Sequence, residues 1–223
     1  MSPALSDVTS SPRFPRVLIA QNNFSTFESL IDTFGKSRLD LDFDLCTSRD
    51  GAMRKLVDSP YQLVTSDAHL AEMDNFSLLK RTQGRDTFVP FLITANAANT
   101  TEKESARRVL AHGAFDLISL PPKYEQTVSA ILLALWQSRF MTLIACKERA
   151  VEKYREHLAA YPSGNQMDAT FKRTRVAIQA SVFSYQQTVL RVEGFADLAA
   201  KVETQARKRA LERLDGLRPW TRP

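Results

Sequence analysis

The chain has 223 residues, 43% of them hydrophobic and 25% charged, a balance that supports a packed core and excludes wholesale disorder; about 150 residues per domain allows one domain or two small ones. The seven glycines, at 35, 51, 84, 113, 164, 194 and 216, never lie close enough for GxGxxG or GxxxxGK[ST], which excludes nucleotide sites built on glycine loops. Three histidines (His69, His112, His157) and two cysteines (Cys46, Cys146) offer no zinc-ligand spacing and no disulfide framework, so a reducing, cytoplasmic setting is expected. The longest apolar run, Ala130 to Trp136, is far shorter than the roughly 20 residues of a membrane span. No membrane association is expected, and residues 1–14 read as a disordered tail. Charge divides at Ser138. Residues 1–138 carry 14 Lys+Arg against 16 Asp+Glu, a net of −2, and residues 139–223 carry 16 against 9, a net of +7. Two modules with different partners follow from that asymmetry.

Arg16 to Ala20 is a short apolar run ending in polar Gln21-Asn22-Asn23, the pattern of a buried parallel strand and its loop. Phe27, Leu30, Ile31 and Phe34 lie on one helical face, which Gly35 is predicted to end. Leu41 to Thr47 alternates as a half-buried strand, Asp50 to Val57 is a short helix, and Tyr61 to Ser66 is a third strand ending at Asp67. Met73 to Gln83 reads as helix, Phe88 to Ile93 as strand, Thr100 to His112 as helix closed by Gly113, and Phe115 to Ile118 as a fifth strand before Leu120-Pro121-Pro122. Five strands alternating with helices define an α/β fold with a five-stranded, doubly wound parallel sheet. In such sheets the loops at the carboxyl ends of the strands form the working crevice. The loops here present Gln21, Asn22, Asp67, Thr94, Ala95 and Leu120.

In order and spacing, three stretches resemble the bacterial response-regulator receiver domain, a flavodoxin-like fold: Tyr61 to Lys80 around Asp67, Leu92-Ile-Thr94-Ala95-Asn96, and Gly113 to Pro121. The resemblance covers roughly residues 15–138. It implies a two-component or phosphorelay role in which an aspartate after the third strand, here Asp67, accepts phosphate from a histidine kinase. It also implies two acidic residues after the first strand that help hold Mg²⁺, a hydroxyl after the fourth strand, here Thr94, and a lysine after the fifth. Gln21 and Asn22 stand where the acidic pair belongs, Leu120 where the lysine belongs, and Leu117 where the family places a switching Tyr or Phe. The resemblance further implies a cis Leu120–Pro121 bond. Mg²⁺ prefers anionic oxygens in octahedral geometry, and phosphoryl transfer depends on charge neutralisation. The substitutions therefore favour a pseudo-receiver without metal or other cofactor, with Asp67 in the position of the phosphoacceptor but relieved of like-charge neighbours. A non-enzymatic signalling protein that acts through protein partners is the expected class.

Residues 139–223 read as an all-α hairpin. One helix continues from Tyr124 toward Pro162, Tyr161 to Asn165 makes the turn, and a second helix runs from about Asp168 to Leu214. Ile178, Val182, Tyr185, Val189 and Val192 repeat at 4-3-4-3 spacing, a heptad seam for a coiled coil. A hairpin apolar on two edges is expected to pair with a second copy as a homodimer, the alternative being a helix folded back on its own receiver. Arg207-Lys208-Arg209 with Arg213 leaves open a nucleic-acid-binding regulator, or simply a basic helix end opposing its dipole. From the seam we predict that light scattering gives the full chain twice its monomer mass, and that Val182→Asp with Val189→Asp abolishes the dimer or unfolds the hairpin. A monomeric full chain at tens of micromolar would refute the seam.

Overall fold

The computed structural model describes residues 14–37, 39–84, 87–159 and 198–215. In chain order these form β1 (Arg16–Ala20), α1 (Phe24–Lys36), β2 (Asp42–Cys46), α2 (Arg49–Asp58), β3 (Leu63–Asp67), α3 (Ala68–Thr82), β4 (Gln83–Gly84), β5 (Thr87–Phe88), β6 (Phe91–Ala95), α4 (Thr100–Ala111), β7 (Asp116–Ser119) and α5 (Tyr124–Ala159). A further helix, α6, occupies residues 198–214. The main sheet has strand order β2-β1-β3-β6-β7, parallel throughout, with Ala20 level with Ser66 and Asp67 level with Thr94. The interior strands β1, β3 and β6 are buried along nearly their whole length, as parallel strands covered on both faces are. Edge strand β2 is largely half-buried, and its Phe43 stacks on Phe34 of α1.

Local sequence sets the helix starts. Asn23, Ser48, Asp67 and Asn99 each accept a backbone N–H of the helix that follows, satisfying donors that a helix leaves orphaned. Glu102 also reaches back to the Asn96 N–H. At Gly113 φ is +112°, and a Cβ there would lie 2.4 Å from Gln83 Nε2, so the turn closing α4 requires glycine.

Three predicted boundaries change. α1 runs through Gly35 to Lys36, ended by Ser37, whose hydroxyl donates to the Phe34 carbonyl. The Met73–Gln83 helix is broken at its start: Met73 is extended, and Asp74, Asn75 and Phe76 take positive φ of 46°, 55° and 60°. Asp and Asn tolerate that region through local hydrogen bonding, while Phe76 is held there stacked on His112. The strand predicted from Phe88 starts at Phe91, because Pro90 has no N–H to give a ladder. Thr87–Phe88 pairs instead with Gln83–Gly84 in a small antiparallel ladder.

Two compact units divide the chain, one holding 1–139 together with 205–223 and the other 140–204. The boundary expected near residue 138 falls inside α5. The expected single region from 139 to the end is corrected: residues 205–215 pack with the sheet unit, because Ala206, Ala210 and Leu214 form a buried stripe at i, i+4, i+8. The turn at Tyr161–Asn165 and the seam residues Ile178, Val182, Tyr185, Val189 and Val192 lie outside the described residues.

Beside the β2 edge, Asp44 accepts from Arg16 (2.6 Å), Lys55 (2.9 Å) and the Tyr61 hydroxyl (2.8 Å). Its bonds to Lys55 and Tyr61 lead in holding the carboxyl down, from 3.8 to about 2. A depressed carboxyl stabilises the fold above its unfolded pKa and loses that contribution as pH falls through the folded one. Asp44→Asn should cost about 1–2 kcal/mol at pH 7, allowing for solvent screening. Thermal melts of the two proteins should converge between about pH 4 and pH 2; a gap that persists at pH 2 would contradict the ion-pair account.

Candidate functional site

The carboxyl ends of β1, β3, β6 and β7 bring the predicted residues to one edge of the sheet. Gln21 and Asn22 follow β1, Asp67 ends β3, Thr94 and Ala95 end β6, and Leu120-Pro121 follows β7. The Leu120–Pro121 bond is cis, as the receiver resemblance implies, and the Leu120 N–H donates to the Ala95 carbonyl at 2.9 Å.

Asp67 spends both carboxylate oxygens locally. One accepts the Leu70 N–H at 2.7 Å and the other the Asn22 N–H at 3.1 Å. Burial pushes its pKa up, while the Leu70 and Asn22 amides oppose the rise. The like-charge neighbours are absent, and desolvation is what raises the carboxyl.

Gln21 is 1% exposed, and its side-chain amide donates to the Thr94 hydroxyl at 2.8 Å. That hydroxyl in turn points to the Ser66 carbonyl at 3.5 Å. The residues at the acidic and hydroxyl positions thus satisfy one another in a short buried chain linking β1, β6 and β3. Leu117 is fully buried in the core. Leu120 is half-buried, and Lys123 is exposed at the start of α5.

A divalent cation does not fit this donor set. Magnesium takes about six hard oxygens, several of them anionic or water. Here Asp67 is the one carboxylate, its oxygens already accept backbone N–H groups, and the Gln21 amide is committed to Thr94. Among the described residues no group of three His, Cys, Asp or Glu could hold a metal.

A second polar cluster escaped the sequence reading. Asp116, at the start of β7, is 6% exposed and pairs with Arg213 of α6. Burial, opposed by the Arg213 charge, pushes its carboxyl up to about 6. Arg207 donates to the Ala114 carbonyl at 3.2 Å, and Arg107 of α4 pairs with Asp215. The signal available was an acid inside an apolar strand, Phe115-Asp116-Leu117-Ile118, together with the arginines between 207 and 213. The basic cluster, left open as a phosphate-binding surface or a helix end, is divided. Arg207 and Arg213 serve the sheet unit, and Lys208 and Arg209 are exposed.

Strand order and register define the class: the five-stranded parallel sheet β2-β1-β3-β6-β7 has the doubly wound, flavodoxin-like order of a receiver fold. No protein-family model and no curated protein matches the sequence. Similar solved structures include the signal receiver domain of an HD domain-containing protein from Pseudomonas fluorescens Pf-5 (19% identity, 60% of this chain and 95% of that one, TM-score 0.48). The chemotaxis response regulator CheY4 of Vibrio cholerae is similar over 54% of this chain and 98% of its own (15% identity, TM-score 0.42). An adenylate cyclase from Rhodopirellula baltica is similar over 63% and 98% (17% identity, TM-score 0.48). Among the described residues, no helix is long and apolar enough to cross a membrane.

With a single carboxylate already committed to backbone N–H groups, millimolar Mg²⁺ should leave the Asp67 resonances unshifted in an NMR titration. Gln21→Asp with Asn22→Asp should create a site that saturates in the millimolar range. Saturable shifts in the unaltered chain below about 1 mM, at ordinary receiver-like occupancy of a carboxylate site, would contradict it.

Proposed function

We propose that this protein is a response-regulator-like signalling component of a two-component or phosphorelay system, working as a phosphorylation-independent pseudo-receiver through protein–protein contacts. The observation that carries the proposal is the buried Gln21–Thr94 hydrogen bond. It occupies, with a neutral pair, the ground where a phosphoryl group and its counter-ion need charge. Phosphoryl transfer depends on positioning and on neutralising the developing negative charge. A pocket with no lysine at residue 120 and no acids at residues 21 and 22 lacks those means.

On this reading the protein is not an enzyme, uses no cofactor and acts in the cytoplasm as a homodimer. Its partner is a histidine kinase or another signalling protein, with the receiver surface as the recognition element. The nucleic-acid reading is the rival, and exposed Lys208 and Arg209 are what favours it. Its signature is binding to arbitrary duplex DNA with a salt slope of several phosphates.

Incubating the full chain with acetyl phosphate and Mg²⁺ should give no phosphoryl adduct by intact mass. Asp67→Asn should leave partner capture unchanged. An adduct that maps to Asp67 and disappears in Asp67→Asn would overturn the proposal.

A further inference from the structure

Residues 205–215 of α6 carry two chemistries on one helix. Ala206, Ala210 and Leu214 form its buried stripe, and Arg207 and Arg213 flank that stripe. The sheet unit answers both. Ala210 and Leu214 join the buried cluster that holds Val109 and Leu110 of α4 and Leu117 of β7. Arg213 pairs with Asp116, their side chains 13% and 8% exposed, and Arg207 donates to the Ala114 carbonyl at 3.2 Å. The face between α4 and β7 therefore receives a helix on an apolar floor with a carboxylate beside it, and the chain's own helix fills it.

The hold is of a kind that another protein surface can compete for. Two of the three stripe residues are alanines, so the stripe removes little apolar surface from water. The specific contacts are charge-assisted: Arg213 on Asp116 and, nearer solvent, Arg107 of α4 on Asp215. Any carboxylate offers a guanidinium the same pair of oxygens that Asp116 does. Off the face, the segment is an amphipathic helix with an apolar stripe between arginines, a pattern that is read by laying the stripe into a groove. Two features favour a protein groove over nucleic acid. A phosphate backbone offers no floor for Ala206, Ala210 and Leu214. Between 205 and 215, the four cations Arg207, Lys208, Arg209 and Arg213 stand against the two acids Glu212 and Asp215, a net of +2, which is small for binding that rests on several phosphate contacts.

We propose that residues 205–215 are a recognition helix for a protein partner whose groove presents an apolar floor and a carboxylate, and that the α4–β7 face, with Asp116 standing in for that carboxylate, holds the helix in check. This goes beyond the receiver reading, which places recognition on the receiver surface, and does not depend on the state of Asp67. The test uses the full-length chain and, as probe, a glutamate–alanine copolymer, which sets carboxylates beside apolar side chains. Asp116→Asn keeps the shape of the residue and removes its charge. Hydrogen exchange over 205–215 should then quicken by roughly tenfold or more, and the copolymer should bind several-fold more tightly in a calorimetric titration, because less of the helix is held in the docked state. Adding Arg213→Gln to Asp116→Asn should cancel the gain in binding. Asp58→Asn, the same charge change on the exposed end of α2, should move neither readout. Faster exchange without tighter binding would make the helix purely structural and overturn the proposal. Unchanged exchange would show that Asp116 does not hold the helix, and would overturn it as well. A gain for duplex DNA equal to or larger than the gain for the copolymer would assign the segment to nucleic acid, again against the proposal. Should Asp116→Asn lower the protection of β1, β3 and β6, the comparison passes to Arg107→Gln. That change loosens the docking from the exposed side of α4 and must move both readouts in the same direction for the proposal to stand.

Discussion

A single buried hydrogen bond, from the amide of Gln21 to the hydroxyl of Thr94 at 2.8 Å, is the constraint on which the crevice depends. It joins the ends of β1 and β6 across β3, at the point where a doubly wound sheet opens its crevice. Both partners are almost wholly buried, and breaking the bond leaves polar groups unsatisfied at a cost of about 1–3 kcal/mol. A carboxylate at residue 21 would need a counter-ion; an amide needs a hydroxyl, and Thr94 supplies it. Asp67 keeps its place at the end of β3 but serves as the cap of α3 and the acceptor of the Asn22 N–H. At these positions the crevice is internally satisfied, and on the proposed reading recognition falls to the surfaces around it.

Much of the fold was legible in the sequence because βαβ units write themselves plainly. Each interior strand is a short apolar run, each of α1 to α4 begins at an Asn, Ser or Asp, and the strand ends carry the polar residues of the crevice. The misplaced boundaries have different causes: Ser37 and Pro90 act locally at the end of α1 and the start of β6, while a tertiary contact acts inside α3. Asp67 caps the turn after β3, so the chain passes through left-handed Asp74 to Phe76 before the helix resumes, and Phe76 is kept there by His112. The substitutions at residues 21, 22 and 120 were readable as lost charges. That Gln21 turns its amide onto Thr94 was not, since it depends on register between β1 and β6, which are not adjacent in the sheet.

The role of the last helix was hidden for a different reason. A basic stretch from 207 to 213 reads equally as a solvated helix end, a phosphate-binding surface or an internal partner. The choice depends on a carboxylate almost a hundred positions earlier. Asp116 decides it for Arg213, because a carboxylate buried on β7 requires a cation close by. The charge division between the halves, net −2 against +7, is therefore partly an internal complementarity: acidic Asp116 and basic Arg213 belong to one compact unit. The exposed Lys208 and Arg209 are what remains of that division on the surface of the same helix.

The side-chain amide protons of Gln21 test the central claim most directly. In the full chain, with Mg²⁺ and beryllofluoride added at millimolar concentration, they should stay slow to exchange and unshifted, because Thr94 holds the amide in a buried bond that neither ligand has the charge partners to break. A saturable shift of those protons, with faster exchange and a matching shift at Asp67, would show that the crevice opens to a phosphoryl-like ligand, contradicting the account.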